Sequence, residues 1–288
     1  MPEPILKSLL ATPTCDPDAF FHAGGHAQVY FIIDPGCDPN ALAHLYQLGL
    51  SFEPMPLLLG TDLAALALQG AFGFAADVRS QLCKDAAALC ARTRCGMVIT
   101  GANSAAALAH ARSLLQVNDS SGGQSLLSVG NPHLWAALAL SVGPAASRLF
   151  GPITQVLTPA PTRLSVAEHS WYCWQAPTAG SLKGAARPLD LPPGFAAAAR
   201  TLHMLYWLDA HHCALGRPKA DRLPVLVANL EVLMGHDISE SRYLLALSKQ
   251  VNGPRLTADA RAMAILQSQE EDFVKVERLA RLAENTEQ

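Results

Sequence analysis

The stretch from Gly96 to Ile153 constrains the fold more than any other. It reads GMVITGANSAAALAHARSLLQV, then a polar turn NDSSGGQ, then SLLSVGNPHLWAALALSVG, and later RLFGPI. A short apolar run, Met97 to Ile99, precedes a helical pattern. A second run, Leu126 to Val129, precedes another. Alternating strand and helix signals predict an α/β lobe, with a mostly parallel or mixed sheet flanked by helices.

The rest of the chain extends this plan. QVYFII at residues 28–33 is β-branched and aromatic and predicts a central strand. It stops at DPGCDPN, where Asp38 and Pro39 suit the start of a helix. The apolar window Leu57 to Ala76 contains Asp62 and Gln69, which favours a buried strand and a core helix over a membrane span. Asp77 is read as the start of a helix running to about Thr93, and Ser104 as the cap of the next. Asn131-Pro132 opens another helix, and LSVAEHSWYCWQ (164–175) reads as an edge strand. These residues, 1–176, form the α/β domain. Residues 177–194 are rich in proline, glycine and small side chains and read as a linker. Residues 195–288 read as an all-α C-terminal lobe, with Asp237 and Glu240 as a capping box and Thr257 as a further cap.

Composition narrows the function. Of the 288 residues 50% are hydrophobic and 16% charged, enough apolar matter for two cores. Lysine plus arginine total 21 against 24 acids, a balance of −3 that argues against a nucleic-acid partner. MPEPILKSLLATPTCDPD lacks the basic start and long apolar run of a secretory signal, so a cytoplasmic protein is expected. Seven cysteines, an odd number with no CxxC pair, are expected to be reduced thiols.

No catalytic constellation stands out. There is no GxSxG elbow, no GxGxxG, no P-loop and no HExxH. Of Cys83, Cys90 and Cys95, the first two lie two turns apart on one helix face, too far to grip one ion together, and adjacent His211, His212 and Cys213 point apart. Neither metal nor cofactor is expected. Ser104 and Cys37, each following a strand, are the residues an α/β hydrolase-like enzyme would use as nucleophile. The large aromatics Trp135, Phe150, Trp171, Tyr206 and Trp207 are the candidate anchors for a protein partner.

The order of VYFIIDPG, PMPLLLGTDLAAL, GMVITGANSAAALAHARSLLQV, GQSLLSVGNPHLWAAL and RLFGPI resembles the effector adaptor/chaperone (Tap or Tec) family of the bacterial type VI secretion system. The helical tail with QEEDFVKVERLARLAE is similar too. Members of that family often carry an arginine and an acid before the position of Asn131-Pro132, whereas SLLSVGNP has neither. The resemblance implies a non-enzymatic cytoplasmic protein that binds a toxic effector and helps load it onto a VgrG spike, often with a PAAR tip. A hydrolase-like enzyme and a toxin-neutralising immunity protein are the alternatives.

Overall fold

Valine, isoleucine and aromatic side chains favour extended backbone, and residues 28–33 do form a strand inside the main sheet. The computed structural model describes residues 3–23, 27–101, 103–119, 121–164, 170–177 and 188–284. In chain order the strands are β1 (Thr14–Cys15), β2 (Gln28–Ile33), β3 (Met55–Pro56), β4 (Phe72–Asp77) and β5 (Gly96–Gly101). They continue with β6 (Gln116–Asn118), β7 (Gln124–Leu126), β8 (Ile153–Pro159), β9 (Trp171–Gln175) and β10 (Leu189–Asp190). The first helices are α1 (Glu3–Leu10), α2 (Pro17–Ala23), α3 (Ala41–Gln47), α4 (Gln81–Thr93), α5 (Ser104–Ser113), α6 (Pro132–Ser141) and α7 (Ala146–Phe150). Then come α8 (Phe195–Ala210), α9 (Leu223–Gly235), α10 (Ser241–Ala246), α11 (Ser248–Asn252), α12 (Ala260–Leu266) and α13 (Asp272–Glu284).

The chain divides into two compact units. One holds residues 11–160 and 167–199, the other residues 1–10, 161–166 and 200–288. In the first unit seven strands pair in the order β1-β9-β8-β5-β2-β4-β3. All six pairings are antiparallel. This corrects the expectation of a mostly parallel or mixed sheet. Two strands hidden from the apolar pattern account for it. FGFAAD, at the end of the window read as a core helix, is β4 and runs antiparallel beside β2. ITQVLTP is β8 and runs antiparallel beside β5. The run expected as a second sheet strand instead contributes β7, which pairs with β6 across the NDSSGGQ turn in a separate three-stranded sheet. The third member, β10, is parallel to β6 and lies within the stretch read as a linker. Residues 178–187 of that stretch lie outside the described residues.

Helices cover both faces of the main sheet. Phe31, Ile33, Phe74 and Val98 pack with Leu45 of α3 and with Ala86, Leu89 and Cys90 of α4. On the opposite face a Cβ at Gly73 would meet Leu108 of α5 at 2.8 Å, so α5 lies close over β4. A sheet buried on both faces reads as continuous apolar runs whatever its strand direction.

Local chemistry sets the boundaries, often a residue or two from the sequence reading. The α4 helix begins after Ser80, whose hydroxyl accepts from Cys83 N at 3.1 Å, and not at Asp77, which ends β4. The cap of α5 is Asn103, accepting from Ala106 N at 3.0 Å; the side chain of Ser104 lies outside the described residues. Asp38 supports Asn40 N at 3.0 Å while α3 starts only at Ala41. In RLFGPI the arginine, leucine and phenylalanine end α7, and Gly151 takes φ 53° and ψ −120° to turn into β8. A Cβ there would also meet the His110 ring at 2.6 Å. His110 Nε2 is 2.9 Å from the Leu149 carbonyl, so the ring cannot readily retreat.

The second unit is helical among its described residues. Asp237, read as a helix start, adopts φ 69° and closes α9, its N–H donating to the Met234 carbonyl at 3.2 Å. Asp259, not Thr257, caps α12 through the amides of Arg261 and Ala262. On α13 Val276 and Leu279 are buried, whereas Phe273 is exposed. The unit's polar centre is Asn229 of α9, which is fully buried. Its Nδ2 donates to the carbonyls of Gln250, Val251 and Pro254 at 3.1, 3.2 and 3.1 Å. Its Oδ1 accepts from Leu256 N at 2.9 Å. One amide thus ties α9 to the end of α11 and the turn beyond it.

Two substitutions probe these points. Gly151→Ala should lower unfolding stability in urea by about 1–3 kcal/mol, because it adds both left-handed strain and a clash with His110. Asn229→Leu should cost about 2–4 kcal/mol in the same assay, since it strands a buried amide and three carbonyls. A loss below the error of the urea midpoint would contradict either account.

Candidate functional site

The turn after β2 builds the site. The Asp34 N–H donates to the Cys95 carbonyl at 2.6 Å, extending the pairing of β2 with β5 by one rung. The buried Asp34 carboxylate then accepts from Gly36 N at 2.8 Å and holds the DPG turn in shape. Asp38 lies 3.9 Å from His44 Nδ1, one turn into α3. Between this turn, α3 and the start of β4 lies a shallow cavity of about 190 Å³. Its walls are Ile33, Pro35, Pro39, Ala41, Leu42, Leu68 and Phe72, with Asp38 the acid among them.

One wall, Leu68, and several apolar side chains near the walls in sequence are exposed. Leu68 is 80% exposed, Leu59 53% and Tyr46 50%, with Leu48 and Leu66 also exposed. The segment 57–70 is neither the strand nor the core helix that its composition suggests. Leu57 and Leu58 are buried, after which the chain turns and forms a single 3₁₀ turn, Ala64–Leu66. Thr61 stabilises the bend, its hydroxyl donating to the Leu58 carbonyl at 2.7 Å and accepting from Leu63 N at 3.1 Å. The exposed leucines are therefore presented by a braced loop. Tyr46 is braced as well: it stacks on Phe52 at 4.6 Å, Phe52 meets Phe74 at 4.8 Å, and Phe74 stacks on Phe31 at 5.3 Å.

The aromatic anchors chosen from sequence lie elsewhere. Trp135, Phe150, Trp171 and Tyr206 are buried. Trp135 and Phe150 meet edge to face at 5.8 Å. Trp207 is half-buried, stacks on His211 at 4.4 Å and donates from Nε1 to the Ser241 hydroxyl at 3.0 Å. The five do not converge on the cavity, none of them being among its walls. What composition missed was placement: leucine is normally read as core, and here it crowns a loop. One signal was available. Between Lys7 and Arg79 the chain has no lysine or arginine but has seven acids.

The reactive-residue candidates find structural surroundings. Burial, then the nearby Asp34 carboxylate, pushes the Cys37 thiol up to about 12. The thiols of Cys90 and Cys95 hydrogen-bond to each other. His211 Nδ1 lies 2.9 Å from the Trp207 carbonyl, whereas His212 Nε2 and Cys213 Sγ meet each other at 3.2 Å, so those two adjacent side chains do not point apart as the helix geometry predicts. Among the described residues no group of three or more His, Cys, Asp or Glu side chains could hold a metal ion, and no helix is long and apolar enough to cross a membrane.

With Cys37 at about 12, only about one thiol in ten thousand is ionised at pH 8. Iodoacetamide at that pH should therefore label the exposed Cys213 and leave Cys37 unmodified until the protein is denatured. Peptide mass mapping reads this directly, and early labelling of Cys37 would refute the assignment.

Residues 29–148 match the family model described as Domain of unknown function (DUF4123). Every wall of the cavity falls inside the match, whereas β8, β9 and the helical unit lie beyond it. No curated protein matches the chain, and no solved structure does.

Proposed function

We propose that this chain is a non-enzymatic adaptor that binds a cognate type VI secretion effector in the cytosol and helps load it onto the VgrG/PAAR spike. The observation that carries the reading is the small apolar cavity with the 80% exposed Leu68 in its wall, in a segment that also exposes Leu59, Leu66 and Tyr46. Exposed apolar side chains gathered in one segment are an ordinary mark of a protein-binding site. The family resemblance supplies the partner. The motifs behind it, from VYFIIDPG to NPHLWAAL, fall almost wholly within the matched residues 29–148.

Size separates binding from small-molecule chemistry. A cavity of about 190 Å³ is well below the roughly 300–1,000 Å³ of ligand pockets, but it suits one apolar side chain of a partner. Burying such a side chain contributes about 1.5–3 kcal/mol, or about tenfold to a hundredfold in affinity. The half-buried Cys37, its thiol pushed up by desolvation, suits a structural role better than attack on a substrate.

Co-production with the cognate effector tests the proposal. The effector should be soluble and secreted with the chain present, and both should fall without it. The pair Leu59→Asp and Leu68→Asp should reduce co-purification at least tenfold with little change in melting temperature, since both side chains are exposed. An effector equally soluble and equally secreted without the chain would refute the adaptor role.

A further inference from the structure

The small sheet ends on an open edge. Its strands pair in the order β10-β6-β7, so β7 has a neighbour on one side only. Leu127 N donates to the Leu115 carbonyl at 2.8 Å, and Asp119 N to the Gly123 carbonyl at 2.9 Å. Bonded and non-bonded pairs alternate along an antiparallel ladder, so Ser125, opposite Val117, is the bonded position between them. The N–H and C=O groups of Gln124 and Leu126 therefore point away from β6. Among the described residues none bonds to them. Both side chains stand on one face of the strand and both are exposed, Leu126 by 52%. The turn holds this edge in shape. The Asp119 carboxylate accepts from Ser121 N at 2.9 Å, Gly123 N at 3.0 Å and the Ser125 hydroxyl at 2.9 Å.

The opposite edge of the same sheet shows what such an edge accepts. There Asn118, in register with Gln124, receives Leu191 N on its carbonyl at 2.9 Å. Its Nδ2 also donates to Asp190 of β10 at 2.7 Å. A two-residue strand is thus held by main-chain pairing and one side-chain amide. Gln124 presents the same kind of amide on the free edge. β7 has neither the charge, the proline nor the bulge with which sheets protect an edge.

We infer that β7 receives an extended segment of a partner protein, which adds a fourth strand to this sheet and sets an apolar residue beside Leu126. The inference goes beyond the adaptor reading and does not rest on it, since none of the cavity's walls belongs to this edge. Two other occupants fit less well. Residues 113–147 contain no lysine or arginine to meet an anionic lipid surface. A three-residue strand spans only about 10 Å. Two rigid copies of the chain meeting along it would bury far less than the roughly 1,000 Å² of a stable interface. An extended segment follows the edge through main-chain bonds and needs no wider match of shape.

Seven-residue peptides displayed on phage, selected on the full-length chain and counter-selected on Leu126→Pro, test this. Proline at 126 removes an outward N–H and no bond to β6, so melting should change little. Ser125→Pro, which removes a ladder bond to Val117, should melt lower. Selected peptides should carry β-branched or aromatic residues with an apolar side chain among them, and should show no common charge. In fluorescence anisotropy their affinity should fall at least tenfold on Leu126→Pro, and also on Leu126→Asp, which keeps the amide but charges the edge. On the wild-type chain, bound peptide should slow hydrogen exchange of the Gln124 and Leu126 amides at least tenfold. An absence of winners that depend on Leu126, affinity indifferent to both variants, or protection that bypasses Gln124 and Leu126 would each overturn the inference. So would self-association lost in Leu126→Asp, or flotation of the chain with phosphatidylserine vesicles.

Discussion

Strand β2, held between β4 and β5, is the constraint on which the rest of the first unit depends. Phe31 is in register with Phe74 on one side and Val98 on the other. Close pairing with β5 requires a glycine at its first residue, because a Cβ on Gly96 would lie 2.5 Å from the Ile32 carbonyl. The last rung is made outside the regular ladder, from Asp34 N to the Cys95 carbonyl. That bond fixes where the strand stops, and hence where the DPG turn, α3 and the cavity begin. The cavity is thus located by the end of a strand ladder.

The sequence makes some of this readable for physical reasons. QVYFII announces a strand because β-branched and aromatic side chains suit a pleated, packed surface. Asn131-Pro132 announces a helix because asparagine can cap and proline needs no amide partner; the Asn131 side chain does accept from His133 N at 3.2 Å. Strand direction is a different matter. FGFAAD and ITQVLTP give weak periodic signals, one through a glycine and small residues, the other through a proline at its end. Both strands acquire their identity from neighbours that are distant in sequence. Missing them made β5 look like part of a strand–helix–strand unit, when both its partners run the opposite way.

The site was harder to read than the fold. Tryptophan and phenylalanine are strong candidates for interface anchors, but they are equally strong core residues, and nothing local to Trp135 or Trp171 separates the two roles. LLLGTDLAALALQG carries the opposite ambiguity. Its leucines look like core, yet Thr61 bends the loop and splits them between inside and outside.

An apolar surface in water has a cost, and its rigidity bears on whether that cost can serve binding. Leu59, Leu66 and Leu68 ride on a loop whose ends are held by β3, by Thr61 and by β4. Tyr46 is backed by Phe52, Phe74 and Phe31 in a continuous aromatic column that reaches the centre of the sheet. Side chains ordered before a partner arrives lose less conformational entropy on contact, so more of the burial energy remains as affinity. A mobile leucine-rich loop of the same composition would bind less tightly and would more readily meet the wrong partner. The braced loop and the aromatic column both trace to one stretch of chain folded against β2.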